Sequence, residues 1–347
     1  MVLATPAGAR LRAGAGQAAP TLSGMPDSVN GRHAPDKLLL AAPRGYCAGV
    51  DRAVQTVEHA LDLYGAPVYV RKEIVHNKHV VEKLRERGAI FVDQETEVPE
   101  GATVVFSAHG VAPSVHRNAG RRRLHAIDAT CPLVTKVHVE AKKFAAEGYT
   151  IILIGHAGHE EVEGTMGEAP DSIVLIETEE QVDQLAVPDP DRVAYITQTT
   201  LSVDETRNVI NRLRSRFPKI VGPRTDDICY ATTNRQAAVK RMAAECDLVL
   251  VIGSQNSSNS KRLVEVAHDY GAEAHLIDHE AQVQEDWLEG KRVVGISSGA
   301  SAPEELVQRL VRFFRERGTD DVQEFDVVHE DVRFMLPKTI RQALATG

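Results

Sequence analysis

The chain has 347 residues, 43% of them apolar and 26% charged, with a net charge of −9. This is the balance of a globular protein of two or three domains. It excludes a membrane span, since no apolar run approaches the roughly 20 residues required. It also excludes a general nucleic-acid binder, which needs a basic footprint.

In chain order, residues 1–35 are rich in Ala, Gly, Pro and Ser, show no amphipathic period and are expected to form a disordered extension. A first α/β repeat is placed at 36–130. Its stretch PRGYCAGVDRAV (43–54) sets Cys47 at a strand-to-helix junction. Val50, Ala53, Val54, Val57, Leu61 and Tyr64 then fall on one helical stripe, and Gly65 stops the helix. Two strands follow, tipped by the polar clusters EIVHNKH (73–79) and VVFSAHG (104–110). Arg121, Arg122 and Arg123 read as a solvated face.

A second repeat, 131–225, opens at Cys131 in DATCPLVTKVHV (128–139). Its helix carries Val134, Val137, Ala141 and Phe144 on one face and ends at Gly148. Its strands end in IGHAGHEEVEG (154–164) and AYITQTT (194–200). A third repeat, 226–316, opens at Cys229 in DDICYATTNRQAAV (226–239), and its strands end in IGSQNSSNSK (252–261) and VVGISSGAS (293–301). Residues 317–347 are left as a C-terminal tail.

The spacings agree between repeats. His76 lies 29 residues after Cys47, and His159 and Ser257 each lie 28 after Cys131 and Cys229. Alternating strands and helices imply mostly parallel sheets, whose ligands sit beyond the carboxyl ends of the strands. Three such units around a pseudo-threefold axis aim every polar cluster at one point. The plainer reading, three unrelated domains with ordinary polar loops, does not account for the matched offsets.

Each of the three repeated cysteines starts a helix, where unpaired amides favour a thiolate. Cys246 has no counterpart in the other repeats and reads as a small core residue. Four cysteines in a chain of this length, with no secretory pattern, point to a reducing cytoplasm rather than a disulfide scaffold. Three converging thiolates make a metal site. Two forms stand at this point: a structural zinc site, which lacks its usual close-spaced cysteine pair and fourth ligand, and a [4Fe–4S] cluster with one iron open to substrate.

Around the thiols the repeats bring His76, His109, His156, His159, Thr199, Ser257, Ser258, Asn259, Ser301 and Glu161. Histidines, Ser/Asn side chains and helix-start amides form an anion pocket, especially for phosphate. No Walker loop and no G-x-G-x-x-G is present, so a nucleotide reading lacks its motif. A carboxyl near a cluster and a bound anion tends to have a raised pKa, which suits a proton donor.

PRGYCAGVDRA, VHN, FSAHGV, DATCPLVTKVH, GHAGHEEVEGTMG, TQTTLS, DDICYATTNRQ, NSSNS, GASAP and FMLPKTIR, in this order, resemble the 4-hydroxy-3-methylbut-2-enyl diphosphate reductase family from about Leu38 to Arg341. The resemblance implies an α/β trefoil of three related domains around a central [4Fe–4S] cluster, with Cys47, Cys131 and Cys229 as its ligands. It implies that His76, His109, Ser257, Ser258, Asn259 and Ser301 hold a diphosphate, with His159 beside them. Thr199 and Glu161 match groups near the substrate hydroxyl, and Glu161 matches the proton donor. A ferredoxin- or flavodoxin-type electron donor is implied, as are a bacterial cytoplasmic setting and the products isopentenyl and dimethylallyl diphosphate. Two local features carry their own expectations: Glu160 faces water, and Ser298 adds a hydroxyl near the phosphate. The competing readings are a zinc-stabilised phosphate-ester hydrolase and a non-catalytic iron–sulfur sensor.

Overall fold

The computed structural model describes residues 33–346, so the expectation for residues 1–32 lies outside the described residues. The chain enters through β1 (Lys37–Ala42). It continues with α1 (Ala48–Tyr64), β2 (Val68–Arg71), α2 (Lys78–Glu86), β3 (Ala89–Val92), β4 (Thr103–Phe106), α3 (Pro113–Arg121) and β5 (His125–Asp128). A second run follows: α4 (Pro132–Ala146), β6 (Thr150–Ile154), α5 (Glu160–Met166), β7 (Ile173–Ile176), α6 (Glu179–Val182), β8 (Val193–Thr197) and α7 (Val203–Arg216). The last run is α8 (Tyr230–Ala243), β9 (Leu248–Ile252), α9 (Ser258–Asp269), β10 (Glu273–Ile277), α10 (Glu285–Leu288), β11 (Val293–Ser298), α11 (Glu304–Arg315), β12 (Asp321–Asp326) and α12 (Lys338–Thr346).

The strands form three sheets, ordered β3-β2-β4-β5, β7-β6-β8 and β10-β9-β11-β1-β12. Every strand pairing among the described residues is parallel. Helices cover the faces, so central strands such as β9 (LVLVI) are buried along their whole length and show no polar alternation. The helical stripes fall as the periodicity predicts. Val54, Val57 and Leu61 of α1 and Val134, Val137, Ala141 and Phe144 of α4 are buried, while Tyr64 at the end of its stripe remains 39% exposed. Gly65 and Gly148 follow their helices with φ of 74° and 77°, a region that glycine enters without a Cβ clash.

The three sheets share one plan, and the chain closes it in a circle. In each unit the central strand is flanked by the next two (β3-β2-β4, β7-β6-β8, β10-β9-β11). The segment leading into the following cysteine then pairs outside the third strand. β5, just before Cys131, lies on β4. Val221, before Cys229, bridges Ala194 of β8. β1, before Cys47, lies on β11 of the last unit.

Two expected boundaries change as a result. β1, placed by sequence in the first repeat, belongs to the third sheet. The stretch read as a C-terminal tail supplies β12, which pairs with β1 from Lys37↔Asp321 to Ala42↔Asp326, and α12, whose Ile340 is buried in the core of the first unit. Strand β12 (DVQEFD) is a half-exposed edge strand, and its polar residues mask it in sequence.

Candidate active site

Cys47, Cys131 and Cys229 are the N-cap residues of α1, α4 and α8. The amide of each is held by the strand tip of the preceding unit. Cys47 N–H donates to Ala300 O at 3.1 Å, Cys131 N–H to Ala108 O at 3.0 Å and Cys229 N–H to Thr199 O at 3.1 Å. The circular strand plan thus delivers the three thiols to one cavity that all three line. Burial pushes the Cys131 thiol up to about 12, against the amides of Leu133 and Val134. It pushes Cys229 up to about 11, against the Thr232 hydroxyl and amide. Thiols this costly to ionise are paired with a cation when they act as ligands.

Gly49 makes the convergence possible. A Cβ at this position would stand 2.7 Å from Cys131 Sγ and 3.8 Å from Cys47 Sγ. Three soft sulfur donors from three units, at helix N-termini and with the fourth cysteine elsewhere, fit an iron–sulfur centre with one unligated metal better than a closed zinc site.

The polar wall of the cavity is a cluster of imidazoles and a helix start. His76 and His109 stack with centroids 4.1 Å apart at 16°. His159 stands edge-on to both, at 5.5 and 5.7 Å. His159 caps α5: its Nδ1 accepts the Glu161 amide at 3.2 Å, which leaves the proton on Nε2. Burial, with His109 and His76 beside it, pushes His159 down to about 3, so the ring is neutral. Burial likewise lowers His76.

At the helix start on the same cavity, Ser257 caps α9 by accepting the Ser260 amide at 3.3 Å. Both amide atoms of Asn259 are buried without a hydrogen-bond partner. Buried polar groups are rarely left so. Here they line a cavity at a helix N-terminus, the place where an anion binds. Ser301 closes this wall and donates to His76 O at 2.9 Å.

Glu161, 2% exposed, is the buried acid. Its Oε1 accepts the Thr199 amide at 2.6 Å and its Oε2 the Thr199 hydroxyl at 2.9 Å. Burial outweighs both bonds and pushes its carboxyl up to about 7. The group holds a proton that it can release near neutrality.

Twelve of the thirteen residues that the repeats bring together (Cys47, Cys131, Cys229, His76, His109, His159, Glu161, Thr199, Ser257, Ser258, Asn259 and Ser301) line this cavity. Three neighbours behave otherwise than expected. His156 turns away, to Arg262 Nη2 at 3.2 Å and Glu177 at 3.8 Å. Ser298 is buried behind the cysteine loop, where its Oγ accepts the Gly45 amide at 2.8 Å. Glu160 turns inward. Its side chain is 16% exposed, its Oε2 lies 3.3 Å from His109 Nδ1, and it accepts the Ser107 hydroxyl at 3.3 Å. The pull of the histidines overcomes the cost of burying its charge. Ligand atoms of His76, His109 and Glu160 lie within 4.8 Å of one another. Two stacked rings do not aim their in-plane lone pairs at one point, so this group reads as a buttressed anion wall and not as a metal site. Sequence reasoning passed over Gly49, Thr200 and Thr232, which also line the cavity. It also passed over the buried Asp227, whose carboxylate accepts the Thr197 amide at 3.0 Å.

The family model described as LytB protein matches residues 38–315. A 4-hydroxy-3-methylbut-2-enyl diphosphate reductase of Nocardia farcinica is 61% identical over 306 residues, covering 88% of this chain and 91% of the relative. The enzyme of the same name from Acidothermus cellulolyticus is 60% identical over 309 residues, covering 89% and 91%. The solved structure of the Plasmodium falciparum E-1-hydroxy-2-methyl-but-2-enyl-4-diphosphate reductase superposes with a TM-score of 0.87 at 39% identity, covering 90% of this chain and 99% of the other.

Proposed function

Because the chain belongs to the LytB protein family, we propose that it reduces (E)-4-hydroxy-3-methylbut-2-enyl diphosphate to isopentenyl and dimethylallyl diphosphate. That is the last step of the non-mevalonate isoprenoid route. The observation that carries this reading is the convergence, in one cavity, of three thiols from three units, an unpaired polar wall and a buried protonated acid.

The family implies an iron–sulfur cofactor, and the three-thiol set supports a [4Fe–4S] cluster held by Cys47, Cys131 and Cys229. When bound, it would relay electrons to the substrate one at a time and offer an open Lewis-acidic iron. The rest falls to the chain. The start of α9, with Ser257, Ser258 and Asn259, takes the diphosphate together with His76, His109 and Ser301. Asn259 then gains the partners it lacks. This fixes the hydroxyl end of the substrate beside Glu161. Thr199 holds the carboxyl in one orientation, and the neutral His159 offers its Nε2–H without competing for a proton. Glu161 donates to the departing hydroxyl, which leaves as water, and the reaction consumes two electrons and two protons in all. The electrons come from a ferredoxin- or flavodoxin-type protein. A reducing cytoplasm suits the four free thiols. No helix among the described residues is long and apolar enough to cross a membrane.

The test is turnover under anaerobic conditions, with dithionite and methyl viologen as reductant and mass spectrometry of the products. Both five-carbon diphosphates lacking the hydroxyl are expected, and Cys131→Ser is expected to lose most iron and all activity. Release of phosphate without a reduced product would instead favour a hydrolase.

A further inference from the structure

The three helices that start at the cysteines each carry a cation one and a half turns in, at Arg52, Lys136 and Arg235. Each cation reaches the backbone just before the next cysteine in the circle. Arg52 Nη1 on α1 donates to Ala129 O at 2.9 Å and Thr130 O at 3.0 Å, immediately before Cys131. Lys136 Nζ on α4 donates to Thr225 O at 2.6 Å and Asp226 O at 3.1 Å, and lies 2.9 Å from Asp227 Oδ1, just before Cys229. Arg235 Nη2 on α8 donates to Gly45 O at 2.9 Å, two residues before Cys47. The set runs from the first cysteine to the second, to the third and back to the first, so it closes.

Two of the cations also hold the segment after β12. Arg52 Nε donates to Met335 O at 2.8 Å. Arg235, fully buried, pairs through Nη1 with Glu330 at 3.2 Å. These loops have no sheet ladder to satisfy their carbonyls, and charged donors make the strongest hydrogen bonds available to them. A buried guanidinium is costly and needs such partners. One staple of this kind is ordinary. Three, standing five, five and six residues after their cysteines and each holding the approach to the next cysteine, are a device of the fold.

We propose that Arg52, Lys136 and Arg235 are positioning residues: a closed ring of staples that fixes the three cysteine loops at the mutual spacing the thiol-bound group requires. The identity of that group rests on the function proposed above; the stapling does not.

The test begins with hydrogen–deuterium exchange on the metal-free full chain. Arg52→Gln is expected to speed exchange about tenfold at 129–131 and to leave 43–47 and 225–229 unchanged. Lys136→Met would strand the buried Asp227 carboxylate, so it is made together with Asp227→Asn and compared with Asp227→Asn alone; it is expected to loosen 225–229 only. After anaerobic reconstitution, both variants should lose iron to a chelator about tenfold faster than wild type, with Arg52→Lys and Lys136→Arg recovering most of the difference. Unchanged exchange, exchange raised evenly in all three loops, or wild-type iron release overturns the proposal. A wild-type chain that takes up no iron overturns the cofactor reading, and the exchange pattern still decides the stapling.

Discussion

Thr199 grips both oxygens of Glu161, its amide on Oε1 at 2.6 Å and its hydroxyl on Oε2 at 2.9 Å. Two donors on a carboxylate ordinarily hold its pKa down. Here burial prevails and the group titrates at about 7, above its ordinary 4.5. The fold therefore favours the protonated form. The stability this contributes is present below pH 4.5 and is lost as pH rises through 7, because the unfolded chain releases the proton first. Glu161→Gln removes that loss. We expect the metal-free variant to melt higher than wild type at pH 8 and close to it at pH 5, while turnover falls by about 100-fold or more because the proton source is gone. Calorimetry at the two pH values and a steady-state assay check both halves.

Thr199→Val keeps the amide bond and deletes the hydroxyl, leaving Oε2 without its donor. The acid becomes harder to ionise, so the basic limb of the pH–rate profile moves to higher pH. Turnover drops about tenfold or more as the carboxyl loses its fixed orientation. Thr199→Ser should restore both. A pH–rate profile of the two variants beside wild type measures it.

Asn259 has neither amide atom paired and is 6% exposed. A buried polar group in this state costs about 1–3 kcal/mol. Asn259→Ala should leave the free protein as stable as wild type or more so, and raise KM for the diphosphate about tenfold or more. Thermal melts and initial-rate kinetics separate the two effects.

Gly49→Ala sets two magnitudes against each other. Alanine gains about 1 kcal/mol of helix propensity, and overpacking costs about 1–3 kcal/mol. In the metal-free chain the Cys131 side chain can rotate away from the new methyl, so the melting temperature should change little. A ligated sulfur cannot move, and with the Cβ 2.7 Å away the iron content should fall well below wild type. Metal analysis after anaerobic reconstitution decides this.

The cavity wall was legible in the sequence because the first strand tip recurs at a near-constant offset from each cysteine, and the parallel-sheet rule puts the tips on one side. What repetition does not encode was missed. Gly49 matters through an atom it lacks. Glu160 turns inward because His109, distant in sequence, attracts it. His156 shares a strand tip with His159, but Arg262 draws it outward. The placement of β1 in the third sheet and the role of β12 follow from long-range pairing. A short half-exposed edge strand gives no local sign of such a partner.

We propose that Cys47, Cys131 and Cys229 hold a cluster with one iron open to the diphosphate substrate. It is tested most directly by iron, sulfide and zinc content and a visible spectrum, on protein purified without oxygen. About four irons and four sulfides per chain are expected, with a brown colour whose spectrum shifts when substrate is added. Stoichiometric zinc and a colourless protein, even after anaerobic reconstitution, would contradict it.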